Sequence, residues 1–295
     1  MSHLEWTGER LTTALENYQG VFEHLHRYAI VQDVVANKKI LDIASGEGYG
    51  SALLSKYANF VTGVDIDSNS IKHASKKYQK AENLNFIVGS TDCIPLADHS
   101  VDIVVSFETL EHHDKHDLMM TEINRVLVKG GTLVISSPEK SIYSEREANN
   151  PFHVKELALT DFELLLKKFF KNVKIFEQRF IVGSFIDSLD KSNFGNLKFY
   201  SGNYENINSD LEDHIHYNKP YFNIAVCSNS EIDDTINTIG TSLFDGVNAV
   251  KREIADAKQI AEFYKAECLT IRNSKSFRIG HFITKKINYF LKFWK

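Results

Sequence analysis

Apolar residues recur along this chain at two different periods, and their alternation predicts an α/β fold. In VFEHLHRYAIVQDVV, residues Val21, Leu25, Tyr28, Ala29, Val31, Val34 and Val35 follow helical spacing, so residues 1–38 read as an N-terminal helical cap. The apolar run from Lys39 to Ala44 then reads as a buried strand. Further strands are expected at Phe60–Val64, Leu84–Val88, Val101–Ser106 and Leu133–Ser136. Helices over SALLSKYA, SIKHASKKYQKA and HDLMMTEINRVL separate them, the last stopping at Lys129-Gly130-Gly131 as a glycine C-cap requires. Farther on, LALTDFELLLKKFF reads as a helix, and NVKIFEQRFIV and YFNIAVCSN as strands. Short apolar strands alternating with helices predict a Rossmann-like, doubly wound, mostly parallel seven-stranded sheet covered on both faces. Such sheets bind ligands beyond the carboxyl ends of their strands.

The pattern divides the chain into the cap (1–38), a ligand-binding domain (39–230) and a C-terminal part (231–295). The domain includes a polar, Asn/Ser/Asp-rich insert at about 184–218. Residues 231–271 read as a mostly helical arm with breaks at Gly240 and Gly246. The arm is a candidate for homo-oligomer formation, although it carries no sustained heptad pattern.

Candidate chemistry begins directly after the first strand. There the turn Gly46-x-Gly48-x-Gly50 lets backbone N–H groups approach a polar ligand, with Asp42 at the strand end. A dinucleotide fingerprint would read GxGxxG, whereas here the third glycine comes one residue early and position 51 is serine. An acidic residue just before the glycines suits a ligand with a cationic ammonium group and would repel a pyrophosphate. Asp65, 19 residues after Gly46, ends the second strand, where a carboxylate can accept from both ribose hydroxyls.

These residues resemble the class I S-adenosylmethionine (SAM)-dependent methyltransferases over about residues 20–180. LDIASGEGYG is similar to their first motif, GVDID to their second, and VGSTDCIPLADHSVDIVVSFETLEH to the adenine-contact and fourth-strand stretch. VLVKGGTLVISSP resembles the fifth-strand motif. The resemblance implies SAM as cofactor, with Asp42 and the Gly46/Gly48 backbone holding its methionine portion. By the same carry-over Asp65 binds ribose, Ile66 packs on adenine, Ser90 and Thr91 line the adenine edge, and Phe107 and Glu108 lie near the sulfonium. The chain departs from the pattern twice. Ala44 stands where many members have the first glycine, and Ser90 where many have an adenine-binding Asp, for which Asp92 is the alternative.

Methyl transfer from a sulfonium needs mainly alignment, desolvation and, for a hydroxyl acceptor, a general base. Candidate catalytic residues are Glu108, Glu111, His112 and His113 after the fourth strand, and His153; His112, His153 and Glu108 lead. No metal is expected, because the His112, His113, Asp114, His116 spacing fits no common zinc pattern and Asp114 and Asp117 suit a helix start. On the cap helix, Glu23 and Arg27 share a face as an i,i+4 ion pair. The competing reading makes this helix a lid over the cofactor, with Tyr28 among the binding residues.

Composition adds two constraints. A net charge of −5 gives no support for nucleic-acid binding. It hides a tail, residues 272–295, that carries +7 and leaves the remainder at −12. Within 275–295, Ile283, Ile287, Phe290, Leu291 and Trp294 share one helical face and lysines the other, as in an interfacial membrane anchor or a docking helix. With no secretory leader or spanning segment, a cytoplasmic location is expected, at the inner face of the membrane if the tail docks there. Cys93, Cys227 and Cys268 form no metal or redox motif. TGERL, EHLHRY, NPFHVKEL and SKSFRIG resemble methyltransferases of bacterial surface-polysaccharide machinery, which implies O-methylation of a sugar hydroxyl on a glycan or glycan precursor. A small-molecule or protein acceptor, an NAD-binding oxidoreductase and a non-catalytic SAM-binding scaffold are the alternative readings, since fold alone does not decide function.

Overall fold

The computed structural model describes residues 18–146, 150–180, 201–202, 207–208, 220–232, 243, 261, 264–268, 270–272 and 274. Five strands run parallel: β1 (Lys39–Ile43), β2 (Phe60–Asp65), β3 (Leu84–Val88), β4 (Val101–Ser106) and β5 (Leu127–Pro138). Between them lie α2 (Tyr49–Leu54), α3 (Ser68–Lys77) and α4 (His116–Val126), preceded by α1 (Tyr18–Gln32). After α5 (Lys140–Arg146) and α6 (Leu159–Phe169) come β6 (Asn172–Gln178), the two-stranded ribbon β7 (Ser201–Gly202) and β8 (Ile207–Asn208), and β9 (Phe222–Ser228). The sheet order is β3-β2-β1-β4-β5-β9-β6, with β9 antiparallel to both of its neighbours.

Alternate residues of the central strands feed two cores. Leu41, Ile43, Val104, Leu133, Ile135, Ala225 and Cys227 point to the α4/α6 face, against Met119, Met120, Ile123, Phe162 and Leu166. Ile40, Ile103, Val105, Val134, Ile224 and Val226 point to the opposite face, against Tyr28, Val31, Val35 and Leu54. Both faces are apolar because both carry helices, which is why the strands read as continuous apolar runs. Cys227 is buried and Cys93 and Cys268 are exposed, all as free thiols.

Two local expectations are corrected. Helix α4 ends at Val126, before the Lys129-Gly130-Gly131 stretch, and residues 127–131 already belong to β5 beside a register shift opposite Val101–Ile103. Gly130, at φ +80, serves this irregular strand start. At the other end of α4 the cap residue is Lys115, without a side-chain cap, so Asp114 does not cap it. Asp117 lies in the first turn, where a carboxylate suits the helix dipole, and pairs with Lys168 at 2.5 Å.

The chain separates into two compact units, Met1–Leu243 and Phe244–Lys295. The second has helical turns at residues 264–268 and 270–272. Residues 1–17 of the expected cap, most of the 184–218 insert, most of the 231–271 arm and the 275–295 tail lie outside the described residues. Among the described residues no helix is long and apolar enough to cross a membrane.

Candidate cofactor and acceptor site

The strand order reverses between β1 and β4, so the crevice of this sheet opens beyond their carboxyl ends. Both strands are followed within two residues by a non-glycine residue held at positive φ, Ala44 at 62° and Glu108 at 52°. That conformation costs an L-residue about 1–3 kcal/mol and marks sites where backbone direction matters. Position 44 therefore needs the left-handed geometry that glycine gives freely, and alanine meets it at some strain.

The loop after β1 is built around two carboxylates. Gly48, at φ +82, begins α2, and a Cβ there would lie 2.6 Å from Phe86 Cζ and 2.9 Å from Ala74. The loop can thus sit close against β3 and α3 only with glycine at that position. Asp65 at the end of β2 accepts from Gly46 N–H at 2.8 Å and Asp67 N–H at 2.9 Å, so it orients the loop while lying at its mouth. Asp67 in turn caps α3 through Asn69 N–H and Ser70 N–H.

Asp42 is buried, accepting from Ser51 Oγ at 2.6 Å and from Tyr28 Oη at 3.2 Å. Burial pushes its carboxyl up to about 6; the Ser51 and Tyr28 hydrogen bonds oppose that rise. Burial, with the nearby Asp42 charge second, pushes the Tyr28 phenol up as well, which keeps it a donor. Ser51 was not visible as a site residue in the sequence. Its signal is the serine that replaces a glycine-spaced position one turn into α2.

Helix α1 reaches this loop. The Tyr28 ring packs edge-on against Phe107 at 5.1 Å and Tyr49 at 5.8 Å, and His24 Nδ1 bonds Tyr49 Oη at 2.9 Å. Arg27 is fully buried: it donates to Gln178 Oε1 at 2.7 Å, lies 3.8 Å from Glu108 and stacks 4.7 Å over Phe222. Glu23 is buried too, and its carbonyl accepts from Gln178 Nε2 at 2.9 Å. The expected Glu23–Arg27 surface pair is corrected accordingly. The guanidinium instead ties α1 to β6 and to Glu108, two residues past β4.

The remaining predicted residues fall into two groups. On the β2/β3 side Ile66 is 75% exposed directly beside Asp65, while Ser90 bonds Asp92 within one turn and Thr91 Oγ1 lies 3.4 Å from His113 Nε2. Asp92 is engaged by Lys115 Nζ at 2.6 Å, and hydrogen bonds from Lys115 and Ser90 hold its carboxyl down at about 2. On the β4/β5 side Glu108 accepts from Ser136 Oγ at 2.6 Å. The turn after it, Leu110–His112, is stitched to residues 150–156. Val154 N–H and Lys155 N–H donate to the Glu111 carbonyl at 2.7 and 3.0 Å, and His112 Nδ1 bonds the Phe152 carbonyl at 3.1 Å. One ligand atom each from Glu111, His112 and His153 thereby lie within 4.8 Å of one another.

These residues fit SAM. A buried carboxylate whose charge is costly gains from a cationic ammonium, and an apolar side chain as exposed as Ile66 next to a ribose-type carboxylate gains from an aromatic base laid over it. If the ammonium pairs with ionised Asp42, affinity is full above pH 6 and falls, by up to tenfold per unit, as pH drops through about 6. Calorimetric titration with S-adenosylhomocysteine from pH 7.5 to 5 checks this, and a flat profile would remove Asp42 from the binding set.

Comparison with known proteins agrees with this geometry. Residues 41–135 match the family described as "Methyltransferase domain". A Mycolicibacterium smegmatis protein named "Probable S-adenosylmethionine-dependent methyltransferase" is 33% identical over 56% of this chain and 65% of its own length. The chain thus spans just under two thirds of that relative. A "Fatty-acid O-methyltransferase" of the same organism is 29% identical over 37% of this chain and 43% of its own. Among solved structures, a SAM-dependent methyltransferase from Thermotoga maritima superposes with TM-score 0.50 at 16% identity, over 71% of this chain and 91% of that one, which speaks for the fold. The glycine loop, the two strand-end carboxylates, the sheet order and these likenesses converge: residues 41–135 are similar to a methyltransferase domain, and the chain is similar over about half its length to proteins named S-adenosylmethionine-dependent methyltransferases.

Proposed function

We propose that this chain methylates an oxygen of an acceptor, a sugar hydroxyl on a glycan or glycan precursor. The observation that carries the reading is the polar cluster of Glu111, His112 and His153, gathered just beyond β4 at the carboxyl end of the sheet. Bound SAM supplies a methyl group on a cationic sulfur. Asp42, backed by Ser51 and Tyr28, balances the ammonium, and Asp65 takes the ribose hydroxyls. Tyr28 and Phe107 wall off water beside the loop. Glu108 is turned to Ser136 and lies near Arg27, which makes it a positioning group and leaves activation of the acceptor hydroxyl to the histidine-bearing cluster.

A nitrogen nucleophile needs only loss of its proton to water, whereas an alcohol needs help to reach its nucleophilic form. A built cluster of two imidazoles and a carboxylate therefore favours oxygen. The sugar reading draws on NPFHVKEL, whose His153 belongs to the cluster, and on the basic amphipathic tail, which suits a lipid-linked saccharide at the inner face of the membrane. The fatty-acid-methylating relative favours a second reading, a lipid carboxylate acceptor. Labelled methyl transfer from SAM, offered lipid-linked saccharides, free polysaccharide and fatty acids in parallel, tests both. Label in saccharide alone supports the proposal, label in fatty acid alone replaces it with the second reading, and no binding of S-adenosylhomocysteine at all sinks both.

A further inference from the structure

We propose that Glu111, His112 and His153 form a binding site for a divalent first-row transition cation of the zinc or cobalt type, a reading that rests on the acceptor-site assignment above and deepens it. Two imidazoles and one carboxylate are a ligand set such ions favour, whereas magnesium and calcium prefer all-oxygen sites. Ligand atoms around a tetrahedral ion at about 2.1 Å stand roughly 3.4 Å apart. Here one such atom from each residue lies within 4.8 Å of the others, so closing on an ion takes side-chain adjustments of about 1 Å.

The surroundings of the trio match those of a metal centre. His112 Nδ1 is bonded to the Phe152 carbonyl at 3.1 Å, and His153 Nδ1 to Glu156 Oε1 at 2.5 Å. A carbonyl or carboxylate holding Nδ1–H is the usual outer support of a ligating histidine, and it assigns the lone pair to Nε2. His112 Nε2 lies 3.9 Å from Glu111 Oε1, on a residue only 1% exposed, so the second ring nitrogen and the carboxylate already face one another. Tyr143 stacks on His153 at 5.4 Å and fixes the ring plane, while the N–H groups of Val154 and Lys155 lock the Glu111 backbone. Three protein ligands leave a coordination position for a further oxygen, as in sites where a metal acts on bound water or hydroxyl. The chemical class of that fourth ligand is an alcohol oxygen of the acceptor.

The test uses the full chain, stripped with a chelator and titrated with Co²⁺, reading its visible absorption, with Zn²⁺ competition and Mg²⁺ as control. One tightly bound Co²⁺, displaced by Zn²⁺ and untouched by Mg²⁺, is expected. His112→Ala and His153→Ala should abolish the band, and Glu156→Gln should weaken binding about 10–100-fold by loosening His153. S-adenosylhomocysteine binding, measured on the same samples, reports folding and the cofactor reading separately. A wild-type chain that binds S-adenosylhomocysteine but shows no Co²⁺ band overturns the metal site alone, and a band that persists in His112→Ala/His153→Ala assigns the metal elsewhere and also overturns it. If either alanine variant fails to fold, the Glu156→Gln shift decides, and unchanged Co²⁺ affinity there counts against the site. Failure of wild-type protein to bind S-adenosylhomocysteine strikes the proposed function, whatever the metal does.

Discussion

Asp65→Ala is expected to weaken S-adenosylhomocysteine binding about 100-fold, a loss of about 3 kcal/mol. Hydrogen bonds to a charged acceptor contribute about 1.5–3 kcal/mol each, and in the proposed role two ribose hydroxyls share this carboxylate. Water filling the vacated space recovers part of that sum. The same substitution removes the acceptor of Gly46 N–H at 2.8 Å and of Asp67 N–H at 2.9 Å, so the glycine loop loses its orientation as well. Asp65→Asn keeps one acceptor oxygen for the loop and should therefore lose less affinity than alanine does. Calorimetry on both variants, with denaturant unfolding to separate loop damage from lost ligand contacts, checks the order. Affinity for Asp65→Ala within threefold of wild type would mean that this carboxylate is structural only.

The second large effect is steric. A Cβ on Gly50 would lie 1.9 Å from Tyr28 Cζ and 2.2 Å from its hydroxyl. The ring cannot yield within the cluster, being held against Phe107 and Tyr49 and bonded to Asp42. Overpacking of this kind costs about 1–3 kcal/mol, while alanine in place of glycine inside α2 returns about 1 kcal/mol of helix propensity. The clash wins. Gly50→Ala should lower stability by up to about 2 kcal/mol and weaken S-adenosylhomocysteine about tenfold as Tyr28 leaves Asp42. In the Gly50→Ala/Tyr28→Ala double variant the clash is gone, so the pair should be no less stable than Tyr28→Ala alone. Strict additivity of the two stability losses would show that α1 does not close on this loop.

Much of the glycine-loop end of the candidate site was legible in the chain because its determinants are local. The strand, the glycine turn and Asp65 lie within one β-loop-α-β unit, and period, turn chemistry and spacing are properties of neighbouring residues. Ala44 shows the limit of that reading: the sequence marks it as a departure from glycine, and only its φ of 62° shows what the position demands. Similarly, Asp114 and Gly130 carry the residue types of a cap and a stop, yet α4 starts at His116 and ends at Val126. Caps depend on the side chain reaching a free N–H, which residue type alone does not guarantee.

Beyond β4 the sequence named residues without showing which of them meet. Helical spacing places Glu23 and Arg27 on one face, but a spacing carries no information on what covers that face. Tertiary packing covered it with β6, and Arg27 meets Gln178 from 151 residues away. Likewise, the HHDKH run does not show that His153, from after β5, is brought to Glu111 and His112 by backbone hydrogen bonds of Val154 and Lys155. The sequence by itself determined the sheet, the glycine loop and the carboxylate at the end of β2. The tertiary structure alone decided which distant side chains share the space beyond β4, since contacts between separated segments are set by packing and leave no periodic trace in the chain.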